Sequence, residues 1–437
     1  MSFSPPRIAF LFSVLVFSFI YGVAVGKWKV FPHSFLDKAV SQSRAFFGND
    51  SRYHNQFYDR RGVKTFVEDE VYPGPTAITS WWKESSGPEY GIRLIGSDGN
   101  LWHKWTIDRH SVFGGTLSQR FDPLTTDIQG SIVLPNGDVV MNLEYVGMVR
   151  VNSCGKVLWR ITEGNHHSIE MADDGSFWVP GVSQKPQSKS SNYPEGFPGL
   201  GSVWIDRAIN VGMNGVIKMD ISIPDILYSN KMIKYLHKYR NKSGDVTHIN
   251  DIEPLSGEMS SHYPIFEKGD LLISMKHINI VMVVDPDNKK VKWYTGKRLA
   301  LQHDADYMGD GWVGVFDNNV DRMGGNLRGG SRIVAFQPHT DSVKVIFEGD
   351  NLERFYTSHR GKWQGLPNGN MLLTEEETGR VVEVNSHGSP VWEWIHEPIR
   401  NSKVPPVTKA TRLDLTREDV ASWPCSSIDS VRTSVVN

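Results

Sequence analysis

The chain has 437 residues, of which 39% are hydrophobic and 22% charged, a globular composition long enough to bury a large core. Its 47 basic and 49 acidic side chains give a formal net charge of -2, so nucleic acid is not an expected partner. The 14 tryptophans and 40 glycines favour many short strands joined by tight turns, and we expect an all-β protein.

The first predicted element is an apolar run at the N-terminus. Residues 8–26 carry no charge and are followed by Lys27 and Lys29. The run is close to the ~20 residues that a membrane helix needs and longer than the usual signal-peptide core of about 7 to 15 residues. Residues 1–29 are therefore expected to form a membrane anchor, or alternatively a cleaved signal segment. Either form would place the following domain outside the cytoplasm, in the periplasm or the extracellular space.

Residues 30–84 predict a stalk or small region before the main domain, and a repeat follows it. The segment "QGSIVLPNGDVVMNLEYVGMVRVNSCGKVLWRI" from Gln129 resembles "WQGLPNGNMLLTEEETGRVVEVNSHGSPVWEWI" from Trp363. Each copy has a strand, an Asn-Gly turn, a second strand, a glycine-containing turn and a strand ending near tryptophan. This order is typical of successive antiparallel hairpins.

Weaker copies of the unit end near Trp105 and Trp293. At roughly 40 to 50 residues per four-stranded blade, about six blades fit between the first and last copies. We therefore predict a six-bladed β-propeller over residues 85–400 and a C-terminal tail over 401–437. Two insertions interrupt the repeat: a polar loop from Ser183 and a segment from Asp225 with the apolar spacing of a short surface helix.

The two cysteines, Cys154 and Cys425, are far apart and lack metal-ligand or redox-motif spacing. We therefore predict no metal site and no cofactor. A disulfide between them stays open as an alternative if the domain is exported.

Three histidines are spaced at about one blade length. His248 lies in "DVTHIN", His303 follows after 55 residues in "LQHDADY", and His359 after a further 56 in "YTSHRGKW". Equivalent positions of successive blades surround the central channel, so these side chains are expected to converge at one mouth of it. His167 is a further candidate, because His110 and His166 beside it are also 56 residues apart. The alternative is that the histidines only line a polar channel.

Arg322 follows the sequence "FDNN" in the same part of the repeat as His303. A guanidinium beside clustered imidazoles suits a tetrahedral oxyanion, because its fork binds two oxygens. An open three-histidine zinc site is the rival interpretation, and Arg322 would repel such a cation.

The ordered set "DVTHIN", "ISMKH", "LQHDA", "FDNN", "LPNGN" and "GRVVEVNSHGSPVWEW" resembles the bacterial arylsulfate sulfotransferase family over roughly residues 85–400. The resemblance implies a six-bladed propeller that moves a sulfonate from one phenol to another without a nucleotide sulfate donor. The implied partners are a small-molecule aryl sulfate and a phenol, with the membrane contacted through the N-terminal segment. The oligomeric state stays open.

By this resemblance, His248, His303 and Arg322 would bind the sulfate and act as acid and base. His359 would be the nucleophile that carries the sulfonate as a sulfohistidine, in a ping-pong reaction. Further substrate-binding candidates are His167, Asn250 and Asn318. The alternatives are a non-catalytic propeller that binds a polysaccharide or protein, and a quinone-dependent dehydrogenase.

Overall fold

The computed structural model describes residues 5–28, 53–84, 87–107, 112–113, 126–197, 199–236, 244–399 and 402–425. The chain forms two compact units, Met1–Tyr53 and His54–Asn437. Residues 30–52 of the predicted stalk and 426–437 of the predicted tail lie outside the described residues.

The first unit contains the helix α1 (Pro5–Trp28). Prolines suit its first turn, because the first N–H groups of a helix have no partner within it. Its segment Pro5–Val25 is long and apolar enough to cross a membrane. A signal sequence near the N-terminus can also meet these criteria of length and composition, so the helix is compatible with both expectations.

Within the described residues, the second unit contains six antiparallel sheets of four or five strands, which are the blades of a propeller. The predicted six-bladed β-propeller is confirmed. From the innermost strand outwards, blade I contains β27 (Val407–Arg412), β3 (Thr76–Glu84), β4 (Gly87–Ile95) and β5 (Leu101–Thr106). Blade II contains β6 (Ile128–Val133), β7 (Val139–Leu143), β8 (Gly147–Val151) and β9 (Val157–Ile161). Blade III contains β10 (Glu170–Met171), β11 (Phe177–Val182), β12 (Asp206–Val211) and β13 (Ile217–Ser222).

The other three blades follow the same order. Blade IV contains β14 (Ile249–Pro254), β15 (Leu271–Met275), β16 (Ile280–Asp285) and β17 (Lys290–Thr295). Blade V contains β18 (His303–Gly309), β19 (Trp312–Asp317), β20 (Arg332–Gln337) and β21 (Ser342–Phe347). Blade VI contains β22 (Lys362–Gly365), β23 (Met371–Glu375), β24 (Arg380–Val384) and β25 (Pro390–Ile395), with β2 (Gly62–Thr65) paired outside β25. A separate two-stranded sheet joins β1 (His54–Asn55) to β26 (Lys403–Val404).

The ring is closed by strands from both ends of the unit. β27 is the inner strand of blade I, where it pairs with β3. β2 in turn pairs with β25 of blade VI. The propeller therefore extends past both limits of the predicted range 85–400, because blades I and VI are completed by strands that lie on either side of the repeat in the chain.

The repeat residues identified in the sequence have structural roles. The Asn-Gly turns lie between the first and second strands of blades II and VI. The closing tryptophans lie on the outer strands, and their indole N–H groups donate to the neighbouring blade: Trp105 to the carbonyl of Gly137 (3.2 Å) and Trp392 to that of Ser97 (2.9 Å). These contacts explain the recurrence of tryptophan at the end of the unit.

Burial follows strand position. The second strand β15 is buried at every residue, since both of its faces pack against neighbouring blades. The outer strand β9 alternates between partly buried and more exposed residues, as expected for a strand with one face near solvent.

The first predicted insertion lies within blade III, and the second lies between blades III and IV. The loop from Ser183 connects β11 to β12, and the second insertion contains α2 (Ile223–Ser229) and a 3₁₀ turn (Ile233–Tyr235). Side chains from both insertions pack into one hydrophobic cluster with blade IV, including Tyr193 and Leu227. The remaining short helices are α3 (Gly257–Ser260) and α4 (Arg417–Ala421), with 3₁₀ turns at Glu68–Glu70, Lys276–Ile278 and Glu376–Thr378.

Cys154 and Cys425 form a disulfide, with their Cα atoms 5.2 Å apart. It connects the segment after α4 to the turn between β8 and β9. Nearby, the indole N–H of Trp423 donates to the carbonyl of Pro135 (2.9 Å). The segment that follows the closing strand is thus attached to blade II by both a covalent bond and a hydrogen bond.

Candidate functional site

Loops at one end of the blades carry the candidate residues. We call this end the upper face: the loops that precede each inner strand and the loops that follow each second strand. Because strands within a blade are antiparallel, these two kinds of loop lie at the same end.

Five histidines meet at the upper face and are called the imidazole cluster: His166, His167, His248, His277 and His303. The ring of His167 lies 5.0 Å from that of His248 and 6.2 Å from that of His303, between centroids. His166 lies 5.0 Å from His167, and the His248 and His277 rings stack at 4.3 Å. Of the predicted residues, the structure thus brings His167, His248 and His303 together.

Two members of the cluster have an uncommon backbone. His167 has φ 55° and His248 has φ 49°, in the left-handed region that favours glycine. The backbone of His167 is held by Gln129 and Asn142: its N–H donates to Gln129 Oε1 (3.0 Å), and its carbonyl accepts from Asn142 Nδ2 (2.9 Å). Such strained positions concentrate at functional sites.

His303 is oriented by Asn318. Its Nδ1 lies 2.6 Å from Asn318 Oδ1, and Asn318 Nδ2 donates to the carbonyls of Thr357 (2.9 Å) and Arg360 (2.8 Å). Those two carbonyls require the amide nitrogen on their side, so the amide oxygen faces His303 and Nδ1 is the donor. The lone pair of neutral His303 is therefore on Nε2.

The Nε2 atom of His303 is buried and has no hydrogen-bond partner among the described residues. Burial lowers the pKa of His303 well below its usual 6.5, and the nearby ammonium of Lys276 lowers it further. His303 is thus a neutral imidazole at physiological pH, with an uncommitted lone pair.

His248 is paired with a carboxylate. Its Nδ1 lies 2.7 Å from Asp245 Oδ2, and Tyr145 Oη lies farther from the same nitrogen, at 3.4 Å. The backbone carbonyl of Asp245 accepts from Nδ1 of His277 at 2.8 Å. Burial, and then the charge of His248, lowers the pKa of His277 to about 4. Asp245 therefore orients two imidazole rings at once.

Lys276 supplies a positive charge that the sequence analysis did not assign to the site. It is 8% exposed, and its charge lowers the pKa of both His167 and His303. Burial lowers the pKa of Lys276 itself to about 8, against the opposing effect of Asp245. The sequence signal was "ISMKH", in which lysine and histidine directly follow a fully buried strand. Asp245, three residues before His248 in "DVTHIN", was a second signal.

Three of the predicted site residues are not part of the imidazole cluster. The His359 side chain is 71% exposed, and its Nδ1 lies 2.6 Å from Ser358 Oγ and 3.4 Å from Glu377 Oε1. Arg322 is exposed in the loop after β19 and forms no ion pair with any described residue. Asn250 is buried in β14 and donates to the carbonyl of Gln302 in blade V at 2.8 Å.

His359 lies away from the imidazole cluster because its neighbour Arg360 faces inwards instead. The Arg360 guanidinium pairs with Asp127 (2.9 Å), Glu376 (2.9 Å) and Glu144 (3.4 Å), which anchors this segment through the arginine. The His359 ring makes no contact with the cluster rings within the described part of the chain. His110 lies outside the described residues.

Among the described residues, two groups of side chains could hold a metal ion. The donor atoms of Asp245, His248 and His277 lie within 4.8 Å of one another, a set suited to zinc. A second group, Asp251, Asp304 and Asp306, offers only carboxylate oxygens. Lys362 already faces that group, with its ammonium in contact with Asp304 and 3.5 Å from Asp251. The Lys362 ammonium therefore already supplies the positive charge that a metal ion would provide to these carboxylates.

Known structures of similar shape include a protein of unknown function from Bacteroides caccae (12% identity, TM-score 0.48, covering 77% of this chain and 100% of that chain). Others are the WD40 domain of Neurospora crassa Pan2 (11%, TM-score 0.40, 77% and 84%) and a streptogramin B lyase (11%, TM-score 0.40, 78% and 88%). These values carry no conclusion about activity. No curated protein sequence matches the chain.

The sequence model of the arylsulfotransferase (ASST) family matches residues 130–397, which is more than half of the chain. The matched range includes every member of the imidazole cluster together with Asp245, Lys276 and Asn318. The chain belongs to the arylsulfotransferase (ASST) family.

Proposed function

We propose that this protein transfers a sulfonate group from an aryl sulfate to a phenolic acceptor through a sulfohistidine formed on His303. The observation that carries this assignment is the buried Nε2 lone pair of His303, whose tautomer Asn318 determines. A neutral imidazole nitrogen without a hydrogen-bond partner is available to attack sulfur.

In the first half-reaction, Nε2 forms a bond to sulfur while the bond from sulfur to the aryl oxygen breaks. The Lys276 ammonium, whose charge already acts on His303, offsets the negative charge of the three sulfonate oxygens. This role replaces the one that the family resemblance suggested for Arg322, whose guanidinium is exposed in a loop.

The leaving phenolate takes a proton, and the entering phenol must lose one. His248 suits both steps, because the carboxylate of Asp245 accepts from its Nδ1 and makes Nε2 the atom that exchanges protons. In the second half-reaction the acceptor oxygen attacks sulfur, the bond from sulfur to His303 breaks, and His248 receives the acceptor proton. The expected kinetics are ping-pong.

Burial favours transfer over hydrolysis. His303 is 3% exposed and His167 6% exposed, so water has little access to a sulfonate on Nε2. His248 and His277 are less buried than His303, so in this proposal donors and acceptors enter past their rings. A phenol that fills this entry would exclude water while it attacks.

We also propose that residues 1–29 export the propeller and hold it outside the cytoplasm. The apolar helix α1 supports export, and the Cys154–Cys425 disulfide supports an oxidising compartment.

The test is mass spectrometry of protein quenched after incubation with p-nitrophenyl sulfate in the absence of an acceptor, with turnover followed separately after phenol is added. We expect one added sulfonate, located on the peptide that contains His303. His303→Ala should abolish both the adduct and nitrophenol release, whereas the His359→Ala variant, changed at an exposed residue in the loop before β22, should retain both. An adduct on His359 that survives His303→Ala would overturn the assignment of the nucleophile. Absence of turnover and adduct in the wild type would overturn the proposed activity.

A further inference from the structure

Three arginines line one open cavity of about 620 Å³ in blade V, the blade that carries His303: Arg298, Arg328 and Arg332. The rest of its wall consists of Leu299, Ala300 and Asn319. Cavities of this size accommodate small ligands.

Two of the three guanidiniums have no carboxylate partner among the residues that the structure describes. Arg332 is held by Asp317, with Nε 3.0 Å from Oδ2, and it also donates to the carbonyl of Arg298 at 2.9 Å. Arg298 and Arg328 are exposed, and neither forms an ion pair with any described residue. The cavity therefore carries an excess of positive charge.

The loop that carries Arg328 is held in place from within. The carboxylate of Asp321 accepts from the N–H groups of Leu327 (2.8 Å) and Arg328 (3.1 Å). Asn319 Nδ2 donates to the carbonyls of Arg328 (2.9 Å) and Gly330 (3.0 Å). Because the backbone is organised before any ligand arrives, less ordering is required on binding.

Two segments of the cavity wall are close in the chain to the proposed nucleophile and to the asparagine that orients it. One wall ends at Ala300, three residues before His303, which limits their Cα separation to about 11 Å. The other wall contains Asn319, the direct neighbour of the asparagine that orients His303. Both walls are upper-face loops of blade V.

We propose that this cavity is a subsite for a second anionic group on the aryl substrate, such as a carboxylate or sulfate separate from the transferred sulfonate. The inference rests on the proposed function and adds a substrate class to it: phenols that carry an additional negative charge. Guanidinium forks bind planar carboxylates and tetrahedral sulfates through paired hydrogen bonds, so the cavity chemistry fits either group.

The test compares two acceptors that differ in one charge, 4-hydroxyphenylacetate and its neutral amide, with p-nitrophenyl sulfate as donor. Wild-type protein should prefer the carboxylate. The double variant Arg298→Gln/Arg328→Gln should lose roughly 10- to 100-fold in kcat/KM for the carboxylate, mainly through KM. It should stay within about twofold for the amide. The control is Arg61→Gln, an exposed arginine outside this cavity, which should change neither value.

Direct binding separates this inference from the proposed function. If the wild type transfers sulfonate to neither acceptor, the activity fails, but calorimetry should still detect tighter binding of the carboxylate than of the amide, lost in the double variant. Equal binding and equal kinetics of the two acceptors would overturn the subsite. Weaker retention of the double variant on heparin, without any change in acceptor preference, would also overturn it and assign the arginines to a polyanion surface.

Discussion

Asn318 determines which nitrogen of His303 carries the proton. The 2.6 Å contact between Asn318 Oδ1 and His303 Nδ1 depends on the opposite end of the amide, which donates to two backbone carbonyls. The loop after β19 thereby controls the chemistry of the first residue of β18. This relationship joins two blade V loops that are adjacent in space and separated in sequence.

Replacing this amide should affect stability and catalysis differently. Asn318→Ala removes three hydrogen bonds and should lower the free energy of unfolding by about 1 to 3 kcal/mol. It should also reduce kcat, because His303 can then adopt the other tautomer. Asn318→Asp keeps an acceptor against Nδ1, but its charge should raise the pKa of His303.

The diagnostic measurement for Asn318→Asp is the pH profile. Activity requires neutral His303, so it is lost as pH falls through the pKa of this residue. Wild-type protein should retain activity well below pH 6.5, because burial lowers that pKa. In Asn318→Asp the acid limb should begin at a higher pH than in the wild type. Identical acid limbs in both proteins would contradict the role of His303.

Lys276 should govern the alkaline limb. Its pKa is about 8, so its positive charge, and with it the transfer rate, should fall as pH rises through 8. Lys276→Met should lower the rate by about 10² to 10³ at pH 7 and abolish this limb. Lys276→Arg should retain part of the activity and move the limb above pH 10. An unchanged alkaline limb in Lys276→Met would exclude this residue as its source.

Zinc should inhibit the protein. Asp245, His248 and His277 can bind the ion together, and binding would occupy the imidazole that exchanges protons. Micromolar zinc should slow nitrophenol release, and EDTA should restore it. His277→Gln should weaken inhibition while leaving measurable turnover. Loss of activity on EDTA treatment alone would instead indicate metal-dependent chemistry.

Ring closure should depend on an ion pair between blades I and VI. Arg412 on β27 lies 3.1 Å from Glu383 on β24, and both side chains are fully buried. Arg412→Met leaves a buried carboxylate and should cost roughly 3 to 5 kcal/mol in the free energy of unfolding, measured with urea. Arg412→Met/Glu383→Gln should recover part of this loss. A single variant as stable as the wild type would show that the pair contributes little.

The sequence by itself determined the propeller, because each blade is built from local hairpins whose turns and closing tryptophans recur at a readable period. The turns at Asn136-Gly137 and Asn368-Gly369 form as the pattern predicts. The range 85–400 missed β3 and β27, because pairing between the two ends of the ring leaves no local signal.

The spacing of histidines indicated which loops face one another, but it could not tell which side chain of each loop points inwards. A difference of one residue decides this: in the loop before β22, Arg360 forms the buried ion pairs, and the adjacent His359 is exposed. Burial and contacts with residues of other loops give Lys276 and Asp245 their proposed roles in the site. Those distances, and the pKa shifts they cause, exist only once the ring is closed, because electrostatic effects depend on separation and solvent exclusion in space.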